Sequence, residues 1–288
     1  MIDVADPRVD TATPSLVGSG PLAAVKAGAR AMWWASRTGL ADFSIIFTVW
    51  TWLFGWGLRI LAQVLFYLVI GSLLGPGQGE YLMIGNTVCL MAVHSLLASA
   101  SLTWERQNGT LPLLVASPTP PALVLIGRSL FWIPDGLVCA MAAFVILGPV
   151  AGVHFTAAAL GWTALLLVLT GVSCYGLGCF LGSLMLVVPD LRNVVGNGMV
   201  TVLMILCGVN FPPATLGPVA HAVSAYLPLT HGLTAIRMTL DAGGASAAVG
   251  RQALLEIAVG SVWLVLAVVA LQVLARRSRR DGRALFQQ

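Results

Sequence analysis

The sequence predicts an all-α protein that crosses a lipid bilayer several times, and three observations carry that expectation. Of its 288 residues, 58% are hydrophobic and only 9% are charged, against roughly 25% charged residues in a soluble domain. So little polar surface cannot cover a water-soluble fold. The apolar residues fall in long blocks such as Ala140–Val153 and Ala157–Leu169, and several blocks approach the roughly 20 residues a helix needs to cross hydrocarbon. Finally, the period-two alternation over about ten residues that a membrane β-strand requires is absent. Helices satisfy their backbone hydrogen bonds within each segment, which is the remaining way to survive in lipid.

Residues 1–21 are rich in Pro, Gly, Ser and Thr without an apolar period and read as a flexible N-terminal tail. From Leu22 to Arg37, Leu22, Val25, Ala29, Met32 and Trp33 recur at helical spacing while Lys26, Arg30 and Arg37 take another face. Such a stretch is too polar to span; it fits a helix in the headgroup layer with Trp33 and Trp34 at the interface. Spanning helices are expected at about 53–74, 81–103, 123–148, 157–180, 194–210 and 253–275, the fifth being the shortest. Gly75-Pro76-Gly77 and Gly148-Pro149 supply short connections. Residues 22–275 therefore form one transmembrane domain, followed by a basic tail over 276–288.

The distribution of basic residues orients this bundle, because Lys and Arg are retained on the cytoplasmic side. With six spans and both termini inside, that side receives Arg8, Lys26, Arg30, Arg37, Arg106, Arg128, Arg192 and the Arg276–Arg283 cluster; Arg237 and Arg251 fall outside. The net charge of +4 is thus a topology signal and a lipid anchor, not a nucleic-acid footprint. No secretory signal peptide is visible ahead of the first span. Cys89, Cys139, Cys174, Cys179 and Cys207 all lie in apolar stretches and read as packing residues, with no metal site. Gly178 and Gly182, four apart, suit a close helix contact.

Between the second and third spans, Asn108-Gly109 is a turn dipeptide, Thr110 can cap a following helix, and Pro112 is tolerated in a first turn. Ser117-Pro118-Thr119-Pro120-Pro121 then stops that helix. The product is a short apolar helix over about Leu111–Ala116, which needs either the membrane surface or a soluble partner to bury it. Glu105 and Arg106 favour the partner, as charges able to fix its register. After the fifth span, prolines divide residues 214–240 into pieces too short to cross, and such backbone must be buried in protein or line a wet cavity.

Two of these blocks carry a resemblance. Glu105-Arg106, Gly109-Thr110-Leu111, Leu113-Leu114 and Ser117-Pro118 form one; Gly208-Val209, Phe211-Pro212 and Leu227-Pro228-Leu229-Thr230-His231-Gly232-Leu233 through Arg237 form the other. In this order among six spans they resemble the type-2 membrane permeases of ATP-binding cassette exporters, over roughly residues 25–275. Pro112, where that family often has an acidic or polar residue, and Asn210, near the end of the fifth span, depart from its pattern. The resemblance implies an amphipathic elbow helix, a cytoplasmic coupling helix and extracellular re-entrant helices. It further implies a second permease copy or homologous permease, and a separate nucleotide-binding ATPase subunit docked on Glu105, Arg106, Gly109, Thr110, Leu111, Leu113 and Leu114. ATP and magnesium belong to that subunit. Consistent with this, the sequence itself contains no phosphate loop, zinc-protease helix or nucleophile elbow, and no catalytic residues are assigned. An amphiphile such as a drug-like natural product, or a lipid-linked glycan, is the expected cargo, moved outward across the plasma membrane.

Ionisable residues within spans need a reason to be there. Arg59 and Arg128 lie near span ends where they can snorkel. Asp135 is deeper, and His94 in the second span sits at a comparable depth, so the two are expected as an intramembrane polar pair. They serve packing or a proton relay, and the relay would make the chain a secondary transporter driven by an ion gradient. The topology is open to direct measurement: reporter fusions at Gln288 and near Gly77 should report opposite sides of the membrane, with Gln288 cytoplasmic.

Overall fold

The structure, a computed structural model, describes residues 21–110, 113–114, 119–153, 155–188 and 192–281. Every regular element in that set is helical, so the all-α expectation holds. Most of the expected tail over 1–21, Leu111, Pro112, Val115 and Ala116 of the expected surface helix, and the Ser117-Pro118 that stops it lie outside the described residues.

Helix α1, Pro21–Ile46, is longer than the surface helix expected from the amphipathic pattern. The extension follows from a second packing face beyond Arg37, where Gly39 backs onto the third span, next to the buried Ala35. A π-helical stretch, Thr51–Gly57, then leads into α2, Leu58–Leu74, and its wider turn is marked by the Leu58 amide reaching back to the Leu53 carbonyl. The second span is a pair, α3 (Gln78–Leu96) and α4 (Ala98–Gln107). The third is likewise split into α5 (Pro121–Ser129) and α6 (Trp132–Val150). Pro134 explains that split: it has no amide for the Leu130 carbonyl, which instead accepts a tighter bond from the Ile133 amide at 3.2 Å.

The fourth span is α7, Ala157–Met185, opened by the Thr156 hydroxyl accepting from the Ala159 amide. Helix α8, Arg192–Leu206, occupies the place of the expected fifth span, and α11, Ala247–Asp281, is the last. Among the described residues five helical segments are long and apolar enough to cross a membrane, and α8 is shorter than these. Between α8 and α11 come a single turn at Pro213–Leu216, then α9 (Pro218–Ser224) and α10 (Thr230–Ala242), the broken hairpin that the prolines predict.

The bundle is built around its second span. The most apolar window of Gln78–Gln107 is 89% buried, whereas the windows of Thr51–Leu74 and Ala247–Arg277 are only 22% and 17% buried. The outer two therefore present apolar faces outward: Phe66, Val69 and Leu73 on α2, Val262, Val265 and Val269 on α11. In water this arrangement would be inverted; a bilayer makes it stable. Close backbone approaches hold the layers together without a hydrophobic drive between helices. A Cβ on Gly178 would stand 2.9 Å from the Ser95 carbonyl, and one on Gly182 3.0 Å from Ser99 Cα, so this spacing seats α7 on α3 and α4.

The contact that positions α1 is tighter still, since a Cβ on Gly39 would overlap the Arg128 carbonyl oxygen. Gly39→Val should therefore push α1 off α5 and destabilise the protein by about 1–3 kcal/mol. Gly55→Ala, where a Cβ meets nothing within 4 Å, should leave the thermal midpoint in detergent unchanged.

Candidate functional site

The loop after α4 is organised by one buried carboxylate. Glu105 is 6% exposed and turned into the protein, where its Oε1 pairs with Arg128 Nε at 2.8 Å. Its Oε2 accepts from the Thr110 hydroxyl at 2.5 Å, and that hydroxyl also lies 3.0 Å from the Glu105 carbonyl. Thr110 thus ties the loop back to the helix it leaves, the use its side chain finds in place of capping the next turn. Gly109 takes φ +68, the left-handed conformation that glycine reaches without strain, and so closes the Asn108-Gly109 turn. Arg106 donates to the Leu186 carbonyl at 2.5 Å, anchoring the same loop to the end of α7.

Beyond this brace Leu113 and Leu114 are helical, with the Leu114 amide bonded to the Thr110 carbonyl. Leu113 is 73% exposed, whereas Leu114 turns inward against the cluster that includes Leu125 and Ile126. Of the expected docking residues, then, Gly109 and Leu113 face outward, Glu105 and Arg106 hold the loop in place, and Leu111 lies outside the described residues.

Arg128 extends the brace to α1, because its Nη2 also pairs with Asp42 Oδ2 at 2.6 Å. One guanidinium thereby joins α1, α4 and α5. Beside it opens a cavity of about 650 Å³ walled by α1, α4 and the start of α6. Nearby, Trp132 donates to the Ser101 hydroxyl at 2.8 Å, and the Tyr175 and Ser129 hydroxyls share a bond at 2.7 Å while Tyr175 also donates to the Ile126 carbonyl.

The structure brings His94 and Asp135 together at 3.5 Å and surrounds them with two indoles. Trp52 donates to Asp135 Oδ1 at 2.8 Å, and Trp56 donates to His94 Nε2 at 3.0 Å. His94 Nδ1 lies 2.8 Å from the Leu90 carbonyl, which can only accept, so the proton sits on Nδ1 and the imidazole is neutral. Asp135 Oδ2 is left buried without a hydrogen-bond partner. Cys139 completes a trio whose ligand atoms lie within 4.8 Å of one another, yet the indoles already occupy an acceptor on both His94 and Asp135. Trp33, Trp34 and Trp50 remain exposed, as interfacial side chains would be, so the tryptophan-rich stretch divides into two populations. The π-helical turn carries the half-buried pair, Trp52 and Trp56.

At the opposite end of the bundle the broken hairpin is fixed by two charges. Arg237 of α10 donates to the carbonyls of Gly208 at 2.8 Å and Tyr81 at 3.2 Å, with its guanidinium 3.7 Å from the centre of the Tyr81 ring. Glu256 of α11 is fully buried at the start of α10, accepting from the amides of Leu229 at 3.1 Å and Gly232 at 2.9 Å. A carboxylate there satisfies helix-terminal donors and complements the dipole. It also holds Leu229 at φ 97, a conformation unfavourable for a branched side chain.

Comparison with protein-family models matches residues 40–240 to the ABC-2 type transporter. The chain belongs to the ABC-2 type transporter family. A comparison with curated proteins returns no match. The matched stretch contains the brace, the His94–Asp135 pair and the Arg237 clasp, and it is the membrane component of a transporter. ABC-2 permeases in general work with an ATP-binding partner and as dimers.

Glu256 escaped the reading of the ABC-2 sequence although the signal was present, a lone acid inside the apolar run Ala253–Ala270. Asp42 gave no such signal, because its importance rests on Arg128 meeting it from 86 positions away. Glu105→Ala removes the side-chain contacts to Arg128 and Thr110, leaving only the bonds to the backbone carbonyl, and should loosen the loop at the cost of about 1–3 kcal/mol. Glu105→Gln keeps an acceptor for Thr110 and should lie between. The measurement is limited proteolysis across residues 107–114, which should be fastest in the Ala variant; equal rates in all three would show that the brace does not hold the loop.

Proposed function

We propose that this chain is the transmembrane permease subunit of an ABC exporter, which moves an amphiphilic substrate outward with ATP hydrolysed, together with magnesium, by a separate nucleotide-binding subunit. The observation that carries the reading is the braced loop. An exposed apolar Leu113 is held at the end of the bundle by an ion-paired Glu105, inside a region matched to the ABC-2 family. A leucine so presented suits an apolar groove on a soluble partner, and a braced loop passes force in both directions. Gly109 and Leu113, together with Leu111, make up the docking surface, with Glu105, Arg106, Thr110 and the inward-turned Leu114 as its mount.

In this reading the braced end is cytoplasmic, the chain sits in the plasma membrane with both termini inside, and six spans form, α8 and the residues after it making up the fifth. Two permeases, identical or homologous, pair side by side. Substrate must be bound differently in the two conformations of the pair, since nucleotide turnover otherwise drives no net transport. A drug-like natural product or a lipid-linked glycan is the cargo class. The neutral His94 beside Asp135 is the one feature that favours the ion-gradient alternative, and transport driven by a proton gradient without nucleotide would decide for it.

Leu113→Asp places a carboxylate where the partner's groove must bury it, at several kcal/mol if unpaired. Leu113 is exposed in the free chain, so insertion and folding should be normal. Retention of the cognate ATPase on co-purification, and substrate-stimulated ATP hydrolysis, should fall at least about tenfold. Full retention with full coupled activity would remove the docking assignment.

A further inference from the structure

The cavity beside Arg128 has a composition that selects a ligand. Its walls carry six aromatic side chains, Phe43, Phe47, Trp56, Trp104, Phe131 and Trp132. Phe43, Phe131 and Trp132 form a mutual cluster with ring centres 4.7 to 5.9 Å apart, and Phe47 stands 6.1 Å from Trp56. The charged lining is two carboxylates, Asp42 and Glu105, against one guanidinium, Arg128. That leaves one negative charge in excess. Glu105 already spends both oxygens on Arg128 and Thr110, whereas the Asp42 side chain is 52% exposed and accepts from Arg128 through one oxygen. The other Asp42 oxygen is the acceptor available to a guest. Arg59 touches the lining from outside: its guanidinium sits 5.0 Å from the Trp56 ring centre and is not itself a wall of the cavity.

We infer that this cavity is the entry site for a lipophilic organic cation, taken from the membrane surface into an aromatic box whose mouth carries Asp42. The volume of about 650 Å³ suits a drug-sized guest. Aromatic faces attract cations, with quaternary and delocalised ones preferred because they lose little hydration on entry. An anion of the same shape meets the surplus carboxylate and is rejected. This inference rests on the transport reading for its consequence. Glu105 and Asn108 line the cavity while Glu105 also holds Thr110, so an occupied site bears directly on the docking loop. A cation there is therefore positioned to stimulate the partner's ATPase.

The probes are tetraphenylphosphonium and tetraphenylborate, ions of nearly one shape and opposite charge. Each is equilibrated separately with the full chain in nanodiscs without any ATPase, and the signal of protein-free nanodiscs is subtracted. Saturable binding of the phosphonium, at least about tenfold tighter than that of the borate, supports the site. Asp42→Asn should weaken the phosphonium about tenfold and narrow the gap between the two ions, while Asp42→Glu should restore it. Phe131→Leu, which keeps an apolar residue, should weaken the cation more than the anion. Equal binding of both ions, or no effect of Asp42→Asn on a correctly folded chain, overturns the inference and marks the cavity as a crevice for lipid chains. Because binding is scored without nucleotide or partner, a failure of ATP-driven transport would count against the exporter reading and leave this result standing.

Discussion

Arg128 carries a charge that no apolar helix interface can hold alone, and the way it is neutralised fixes the geometry of one whole end of the molecule. Its two carboxylate partners come from α1 and from the end of the second span. Each of the three helices is therefore positioned by the other two. A half-buried guanidinium with one partner removed would be costly, since the penalty for an uncompensated charge exceeds the gain from pairing it. The Gly39 contact to the Arg128 backbone works in the same direction, bringing α1 close enough for Asp42 to reach. The loop after α4 hangs from this assembly through Thr110, and the aromatic cavity opens beside it. A rigid mount and a deformable pocket thus share one residue, Glu105.

Much of this was legible in the sequence, for identifiable reasons. Spans are written in composition, because lipid demands apolar side chains over a fixed length, and so α2, the α3–α4 pair, the α5–α6 pair, α7 and α11 fall close to where hydropathy puts them. Turns written in Gly and Pro were equally plain. His94 and Asp135 were readable as a pair because charges at similar depth in adjacent spans have few places to go. The tryptophans show the limit. Trp52 and Trp56 look no different in sequence from Trp50, and only the π-helical turn, a matter of backbone hydrogen-bond register, rotates them inward. The inward turn of Glu105 was illegible for a related reason: an acid beside a loop reads as solvated until its partner, Arg128, is known to pack there. The splits at Leu97 and Leu130–Phe131 were also missed, although Pro134 offered a hint of the second.

Length mismatch gives α8 a further meaning. Its 15 described residues rise only about 22 Å, against a hydrocarbon core of about 30 Å, whereas α11, the last described helix, is more than twice as long. A bilayer around two such unequal elements cannot keep one thickness; it thins beside the short one, or the protein fills the deficit with polar backbone. Here the residues after Leu206 supply part of that filling, with Arg237 drawing the carbonyls of Gly208 and Val209 together. Where α8 faces lipid, headgroups and water would reach deeper beside it than beside the flank formed by α2. The hydrophobic barrier to an amphiphile on that side would then be shortened before the protein changes shape at all.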